Sequence, residues 1–436
     1  MRGFVLLATA GVFWAQAPLD PTQVLAQARD RIVANRPRLP NYTCTQTVNR
    51  SYLRRAKQPV TPPTCTQSKS ERNSHEYGLD LYLMDRLRLD VKVSRGVEIG
   101  SWAGARQFDE KSIFDLVGRG PFGTGALGSF LSDIFDNQGT AFAYNGTVPA
   151  DGGKLYQYGY EVPLGASHYL VKAGTDWQAI AYEGEVGIDP DSFDLKHLVV
   201  RADHLPQETE ACEVTSSVDY AMVRLTRGDF LLPQKSRLQI VTTSTQEDDI
   251  TTTYASCREY QSQSTISFGD DPAAGTSATT ATATPANLPP GAPILLALAE
   301  PIDTDVAAAG DVIVEKVRKA VQAKVSKDVL IPAGATVRGR IVKMQHWLLP
   351  PGRFDVAIRL ESWEVSGVSA PLYAEPDRSG LGENAATHLR GVPISLPPAA
   401  ASPQVRSYII QTDRKSYIFP RGFESKWITM TPPAEP

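Results

Sequence analysis

Residues Asp270–Pro290 read DDPAAGTSATTATATPANLPP, and this stretch decides how the chain is divided. Apart from Leu288 it offers no large apolar side chain to bury, so it cannot offset the entropy of ordering itself and reads as a flexible linker. All four cysteines, Cys44, Cys65, Cys212 and Cys257, fall on its amino-terminal side. The expected organisation is therefore a disulfide-bearing domain over 20–268, a linker over 269–290 and a cysteine-free domain over 291–436.

The 436 residues leave room for two or three domains, and 42% hydrophobic with 21% charged residues is ordinary for globular material. A formal net charge of −4 comes without a clustered basic stripe, so no nucleic-acid partner is expected. At the amino terminus Met1-Arg2 precedes an apolar run, Gly3 to Trp14, that ends in Ala15-Gln16-Ala17. That order is the pattern of a cleaved signal peptide over 1–17, although Pro18 leaves the point of cleavage open. The run is too short to span a bilayer in the mature protein, and no later stretch holds the roughly 18 uninterrupted apolar residues of a transmembrane helix. An exported chain, in the periplasm or cell envelope, is the expectation.

Four cysteines in an exported chain make two disulfides, with three connectivities to choose from. Local pairing, Cys44 with Cys65 and Cys212 with Cys257, is expected because each pair joins segments that read as neighbouring strands. No CxxC pair occurs, so the cysteines do not read as metal ligands, and no metal or cofactor is expected.

Working outward from the linker, the clearest strand is Leu87, Leu89, Val91 and Val93 alternating with Arg88, Asp90 and Lys92, one face buried and one wet. Asp20-Pro21 opens a helix with Val24, Leu25, Ala28 and Ile32 at helical spacing, closed by Asn35 and Pro37. Strands are expected from Tyr42 and again from Cys65. Turn signals every 8 to 15 residues from Thr140 to Phe268 then read as an antiparallel sheet, with Leu155–Val162, Gln178–Ile188, Cys212–Leu225, Leu238–Thr245 and Ile250–Tyr260 among its strands.

Two helical clusters interrupt this pattern, Ile113 to Val117 and Leu127 to Phe135. Between them Gly118-Arg119-Gly120-Pro121-Phe122-Gly123-Thr124-Gly125 holds a formal GxGxxG. A nucleotide fingerprint needs a preceding strand and a helix opening within the motif, whereas helical residues precede this one and Pro121 interrupts it, so it reads as a helix–helix connection. Beyond the linker, Pro293–Glu300, Val312–Val325, Thr336–Met344 and Phe354–Leu360 read as strands of a small β-barrel or sandwich. A loose insertion is expected over 377–404.

No constellation in the chain carries an obvious chemistry. The six histidines lack ligand spacing, no GxSxG elbow occurs, and adjacent acids such as Glu247-Asp248-Asp249 read as solvated turns. Tryptophans such as Trp102, Trp177, Trp347, Trp363 and Trp427 could line a groove, but core packing is their commoner fate.

The region over 20–268, one capping helix and a run of antiparallel strands with a helical insertion, resembles the half-barrel of bacterial lipoprotein carriers of the LolA and LolB type. It also looks like a group of exported proteins sharing segments such as Gly184 to Asp189, Leu231-Leu232-Pro233 and Tyr254-Ala255-Ser256-Cys257-Arg258. The first resemblance implies an acyl chain held between the concave sheet and its helices, which would fall here to Leu87, Leu89, Phe130, Phe135 and Trp177. The carriers' hallmark cavity arginine has no single counterpart in the sequence. The region beyond the linker resembles small envelope β-domains, including the barrel of TrbI-type conjugation channels, through Gly310-Asp311-Val312 and Asp328 to Arg340.

The expected fold class is thus α+β followed by all-β: an antiparallel half-barrel with covering helices, a flexible linker and a small β-domain. The expected function is non-enzymatic binding of a lipid, a lipoprotein acyl chain or another apolar ligand. The alternative is a scaffold that docks another envelope protein through the carboxy-terminal domain.

Overall fold

A computed structural model describes residues 19–260 and 288–432, apart from 58–59, 62, 75–77, 95–96, 106–107, 109–112, 118–119, 151–152, 244–245, 324–327, 378–385, 390–391 and 396–403. The expected signal peptide over 1–17 and nearly all of the expected linker over 269–290 lie outside the described residues.

Helix α1 (Pro21–Asn35) begins as its sequence dictates: the Asp20 carboxylate accepts the Thr22 N–H at 3.0 Å, with Pro21 in the first turn. It buries Val24 and Ala28 on the sheet below. That sheet comprises β1 (Tyr42–Arg55), β2 (Leu79–Ser94), β3 (Val97–Trp102), β4 (Ala141–Ala150), β5 (Gly153–Val162), β8 (Tyr182–Ile188), β9 (Leu195–Ala202), β10 (Ala211–Leu225), β11 (Gly228–Thr242) and β12 (Gln246–Glu259). A separate hairpin, β6 (Leu170–Ala173) and β7 (Asp176–Ala179), stands beside it.

All pairings in the sheet are antiparallel, in the order β4–β5–β8–β9–β10–β11–β12–β1–β2–β3, and the two ends do not meet. Short helices α2 (Cys65–Ser74), α3 (Ile113–Val117) and α4 (Ser129–Phe135) complete this part. Residues of α1, α3 and α4 share one hydrophobic core with the inward phase of the strands. The α+β half-barrel architecture is therefore present.

The disulfides join Cys44 to Cys257 and Cys65 to Cys212, which corrects the local pairing expected from the sequence. The reason is the order of the strands in the sheet. Strand β12 returns to lie beside β1, with a register shift between Thr43 and Thr45 that sets Cys257 against Cys44. Cys65 opens helix α2, where a strand was expected, and α2 packs on β10, which carries Cys212. The pairs thus span 213 and 147 residues of chain. Two further details differ from the expectation. Gln178–Ile188 is broken at Ile180-Ala181 into β7 and β8, and Leu238–Thr245 is the tail of a longer strand that starts at Gly228.

Beyond the linker an open antiparallel sheet has its own core, built on Ile294, Leu296, Val337, Val356, Ile410, Phe419 and Trp427. Strand Pro293–Leu298 lies between Val312–Val317 and Glu424–Thr429, and Thr336–Trp347 pairs with Arg353–Val365, which in turn pairs with Val405–Gln411. The insertion over 377–404 is not wholly loose. Ala386–Leu389 and Val392–Ser395 form a hairpin whose second strand pairs with Val405–Gln411.

The two sheets are continuous. Gln345–Trp347 pairs antiparallel with Leu83–Asp85 of β2, so the carboxy-terminal part extends the edge that β3 leaves open. The Arg88 N–H donates to the Ala309 carbonyl at 2.7 Å and the Ala309 N–H to the Arg86 carbonyl at 2.8 Å. Gly310, first residue of the Gly310-Asp311-Val312 motif, has φ +109°, and a Cβ there would collide with the Arg88 carbonyl oxygen. The motif is the seam between the two parts.

Candidate functional site

Alternation along β1 turns Tyr42, Gln46, Val48, Arg50 and Tyr52 towards the covered face of the sheet. Tyr156, Tyr158 and Tyr160 on β5 and Val218 and Tyr220 on β10 are buried in the same phase. A buried tyrosine keeps its hydroxyl only if that group finds a partner, and here the partners are carbonyls. Tyr42 donates to the Leu127 carbonyl at 3.1 Å, Tyr220 to that of Ala126 at 3.0 Å, Tyr156 to that of Leu19 at 3.1 Å and Tyr158 to that of Pro21 at 2.8 Å. These four hydroxyls tie the sheet to backbone carbonyls of its cover.

Two cavities remain between sheet and cover, one on each side of residues 125–128. The larger, about 680 Å³, has walls from Val214 and Ser216 of β10, Leu238 and Ile240 of β11, Phe130 of α4 and Trp177 of β7. Its rim carries His168 and Lys172, and Gly120–Gly125 forms one side. The smaller, about 430 Å³, lies between the end of α1, Leu127 and Leu131, Phe193 and Phe230. Ion pairs Arg36–Asp136 at 3.0 Å and Arg31–Asp194 at 3.6 Å involve residues of its wall. Both volumes lie in or near the range of small-molecule sites.

Of the residues expected to hold an apolar ligand, Phe130 and Trp177 meet in the larger cavity, Trp177 with nearly half of its surface exposed. Leu87, Leu89 and Phe135 line neither cavity. They are buried in the common core, Phe135 stacking on Phe142 with ring centroids 5.7 Å apart.

Three polar groupings went unnoticed in the sequence. Asp133 of α4 accepts from His168 Nδ1 at 2.6 Å, from the His168 backbone N–H at 3.1 Å and from the Tyr182 hydroxyl at 2.7 Å. This fixes α4 against the turn before β6 and leaves the imidazole edge in solvent beside the larger cavity. Arg50, buried, forms a fork with Asp85 at 2.6 and 2.8 Å, and Nη1 is left without a partner. A Cβ at Gly120 would meet this Nη1 at 2.8 Å, so the start of the glycine-rich connection lies over the arginine. Nearby, burial pushes the Asp248 carboxyl up, against the pull of a Gln246 hydrogen bond and of Arg50.

The third grouping is Glu98 on β3, whose carboxylate accepts the Gly125 N–H at 3.1 Å. The residue as a whole is half-buried, but its carboxyl end is enclosed, and burial pushes it up to about 7 despite that bond. A signal for the second existed in the sequence: Arg50 and Asp85 occupy the buried phase of largely apolar alternations. Among the described residues no group of three or more His, Cys, Asp and Glu side chains could hold a metal ion. No helix among them is long and apolar enough to cross a membrane.

No family model and no curated protein matches the chain. Solved structures give local likenesses. A LolA superfamily protein from Nitrosomonas europaea is 10% identical over 56% of this chain and 94% of its own, with a TM-score of 0.24. ComB10 of the Com type IV secretion system of Helicobacter pylori is 14% identical over 33% of this chain and 86% of its own, at 0.19. A chain of the Pseudomonas aeruginosa MucA/MucB complex is 10% identical over 89% of this chain and 93% of its own, at 0.16.

Proposed function

We propose that this protein is an exported, non-enzymatic binding protein of the periplasm or cell envelope, and that it holds an apolar ligand such as a lipid or acyl chain in the larger cavity. The observation that carries the reading is the cavity itself: about 680 Å³ between an intact sheet and its cover, walled by Val214, Leu238, Ile240, Phe130 and Trp177. Two long-range disulfides, formed in oxidising compartments, support export. Binding would be driven by desolvation, about 25 cal/mol per Å² of apolar surface removed from water. In this reading the carboxy-terminal part serves as the fixed neighbour that closes the edge of β2.

The test is titration with the apolar fluorophore N-phenyl-1-naphthylamine. A saturable 1:1 site is expected with a dissociation constant on the order of 1–10 µM, displaced by long-chain lipid. Leu238→Glu, which puts a charge into the wall at a half-buried position, should weaken binding by roughly tenfold or more while the protein stays folded. Probe fluorescence that does not saturate, or is indifferent to Leu238→Glu, would overturn the reading.

A further inference from the structure

The sequence holds a glycine-rich motif of the kind that elsewhere receives an anion, and the fold gives it one from its own chain. The N–H of Gly125, at the end of that motif, donates to the Glu98 carboxyl at 3.1 Å. The carbonyls of Ala126 and Leu127 accept from Tyr220 and Tyr42. Segment 125–127 is therefore fixed at its backbone by three side chains from three strands, β3, β10 and β1. The same segment divides the interior: Gly120–Gly125 belongs to the larger cavity and Ala126–Gly128 to the smaller.

We propose that Glu98 is a latch on the wall between the two cavities. While the backbone of 125–127 holds its carboxyl the cavities are separate, and when the carboxyl is released to water they join into one elongated chamber able to take a longer chain than either. The consequence for ligand uptake rests on the binding role above; the latch itself does not.

Three observations make the wall conditional. Glu98 meets only a neutral partner there, the Gly125 N–H, and no ion pair to it occurs among the described residues. The titratable groups facing it are Tyr42 from β1, Tyr220 from β10 and Tyr254 from β12, all pushed above the ordinary phenol range by burial, so none changes charge between pH 5 and 9. Finally, the carboxyl is raised to about 7 by its burial in the closed wall, whereas a hydrated glutamate titrates near 4.5. The closed state thus binds the proton more tightly than the open one. Closure is favoured as pH falls and loses support as pH rises through about 7.

The experiment is amide hydrogen exchange of segment 120–128 in the full chain at pH 5.5, 7 and 8.5, with the intrinsic chemical rate divided out. Protection at Gly125 is expected to fall about tenfold or more over that range, since one pKa unit corresponds to tenfold. In Glu98→Gln, which keeps an acceptor but no titrating group, protection should be independent of pH. Tyr42→Phe should lower protection at every pH and keep the fall, which provides the control if the Gln variant does not fold. A flat profile in the native protein, or the same fall in Glu98→Gln, would overturn the latch. Uptake of N-phenyl-1-naphthylamine should be faster at pH 8.5 than at 5.5 only where Glu98 is present. The expected exchange profile with no uptake at any pH would leave the latch standing and remove the binding role.

Discussion

The two halves of this chain are both built from antiparallel strands and fill their interiors in different ways. Beyond the linker the sheet encloses its own core of branched aliphatics with Phe354, Phe419, Trp427, Tyr408 and Tyr417. Before the linker the sheet faces a separate layer of helices and loop, and beside the inward Phe230 four of its inward tyrosines, Tyr42, Tyr156, Tyr158 and Tyr220, reach across to that layer's carbonyls. Phenylalanine fills space, whereas tyrosine fills space and holds a polar backbone at a fixed distance. A sheet that must support a cover and leave room beneath it uses the second.

The largest test of this contrast is deletion of an indole in each half. Trp427 is buried and donates to Ser425 Oγ at 2.8 Å, so Trp427→Ala should cost about 3–5 kcal/mol in chemical unfolding. Trp177 lines a cavity with 47% of its surface exposed, so Trp177→Ala should cost less than about 1 kcal/mol while weakening probe binding. Equal losses would mean that the larger cavity is ordinary core.

Cross-linking separates the halves next, because both disulfides lie before the linker. Replacing Cys65 and Cys212 together by alanine removes a 147-residue closure and should cost about 2–5 kcal/mol, read as a lower midpoint for the amino-terminal part. Peptide mapping of the unreduced native protein should recover Cys44 joined to Cys257.

The smallest effect is the pH dependence that the halves share. Glu315 lies beneath the carboxy-terminal sheet with Oε1 on Ser425 Oγ at 3.0 Å and Oε2 unpartnered. Burial raises it to about 7, only partly offset by Ser425 and by Arg406. A carboxyl higher in the folded state than in the unfolded one holds its proton better when folded. Its contribution is complete below about pH 4.5 and is lost as pH rises through about 7, on the order of 2–3 kcal/mol. Glu315→Gln should flatten that decline in pH-dependent unfolding, whereas Arg406→Gln should leave it in place or deepen it.

The legible features were those governed by local physics. The alternation from Leu87 to Val93 announced β2, and Asp20-Pro21 announced α1, because burial phase and capping are written within a few residues. The disulfide partners were not legible, since they depend on β12 returning beside β1 across the whole domain. Leu87, Leu89 and Phe135 were correctly apolar and inward, but sequence cannot say whether an inward side chain meets a cavity or another side chain. Arg50 and Asp85 were legible in principle: charges in the buried phase of an apolar alternation must pair, and they do. The glycine-rich connection lies between α3 and α4, yet nothing near it in sequence pointed to Glu98 as the group that accepts the Gly125 amide.

The most direct test of the central claim is native mass spectrometry of the protein purified from the cells that make it, followed by denaturing extraction. The account predicts one apolar molecule per chain that survives gentle ionisation and is lost in Leu238→Glu. A bare polypeptide mass that also stays unchanged after incubation with fatty acyl probes would contradict it.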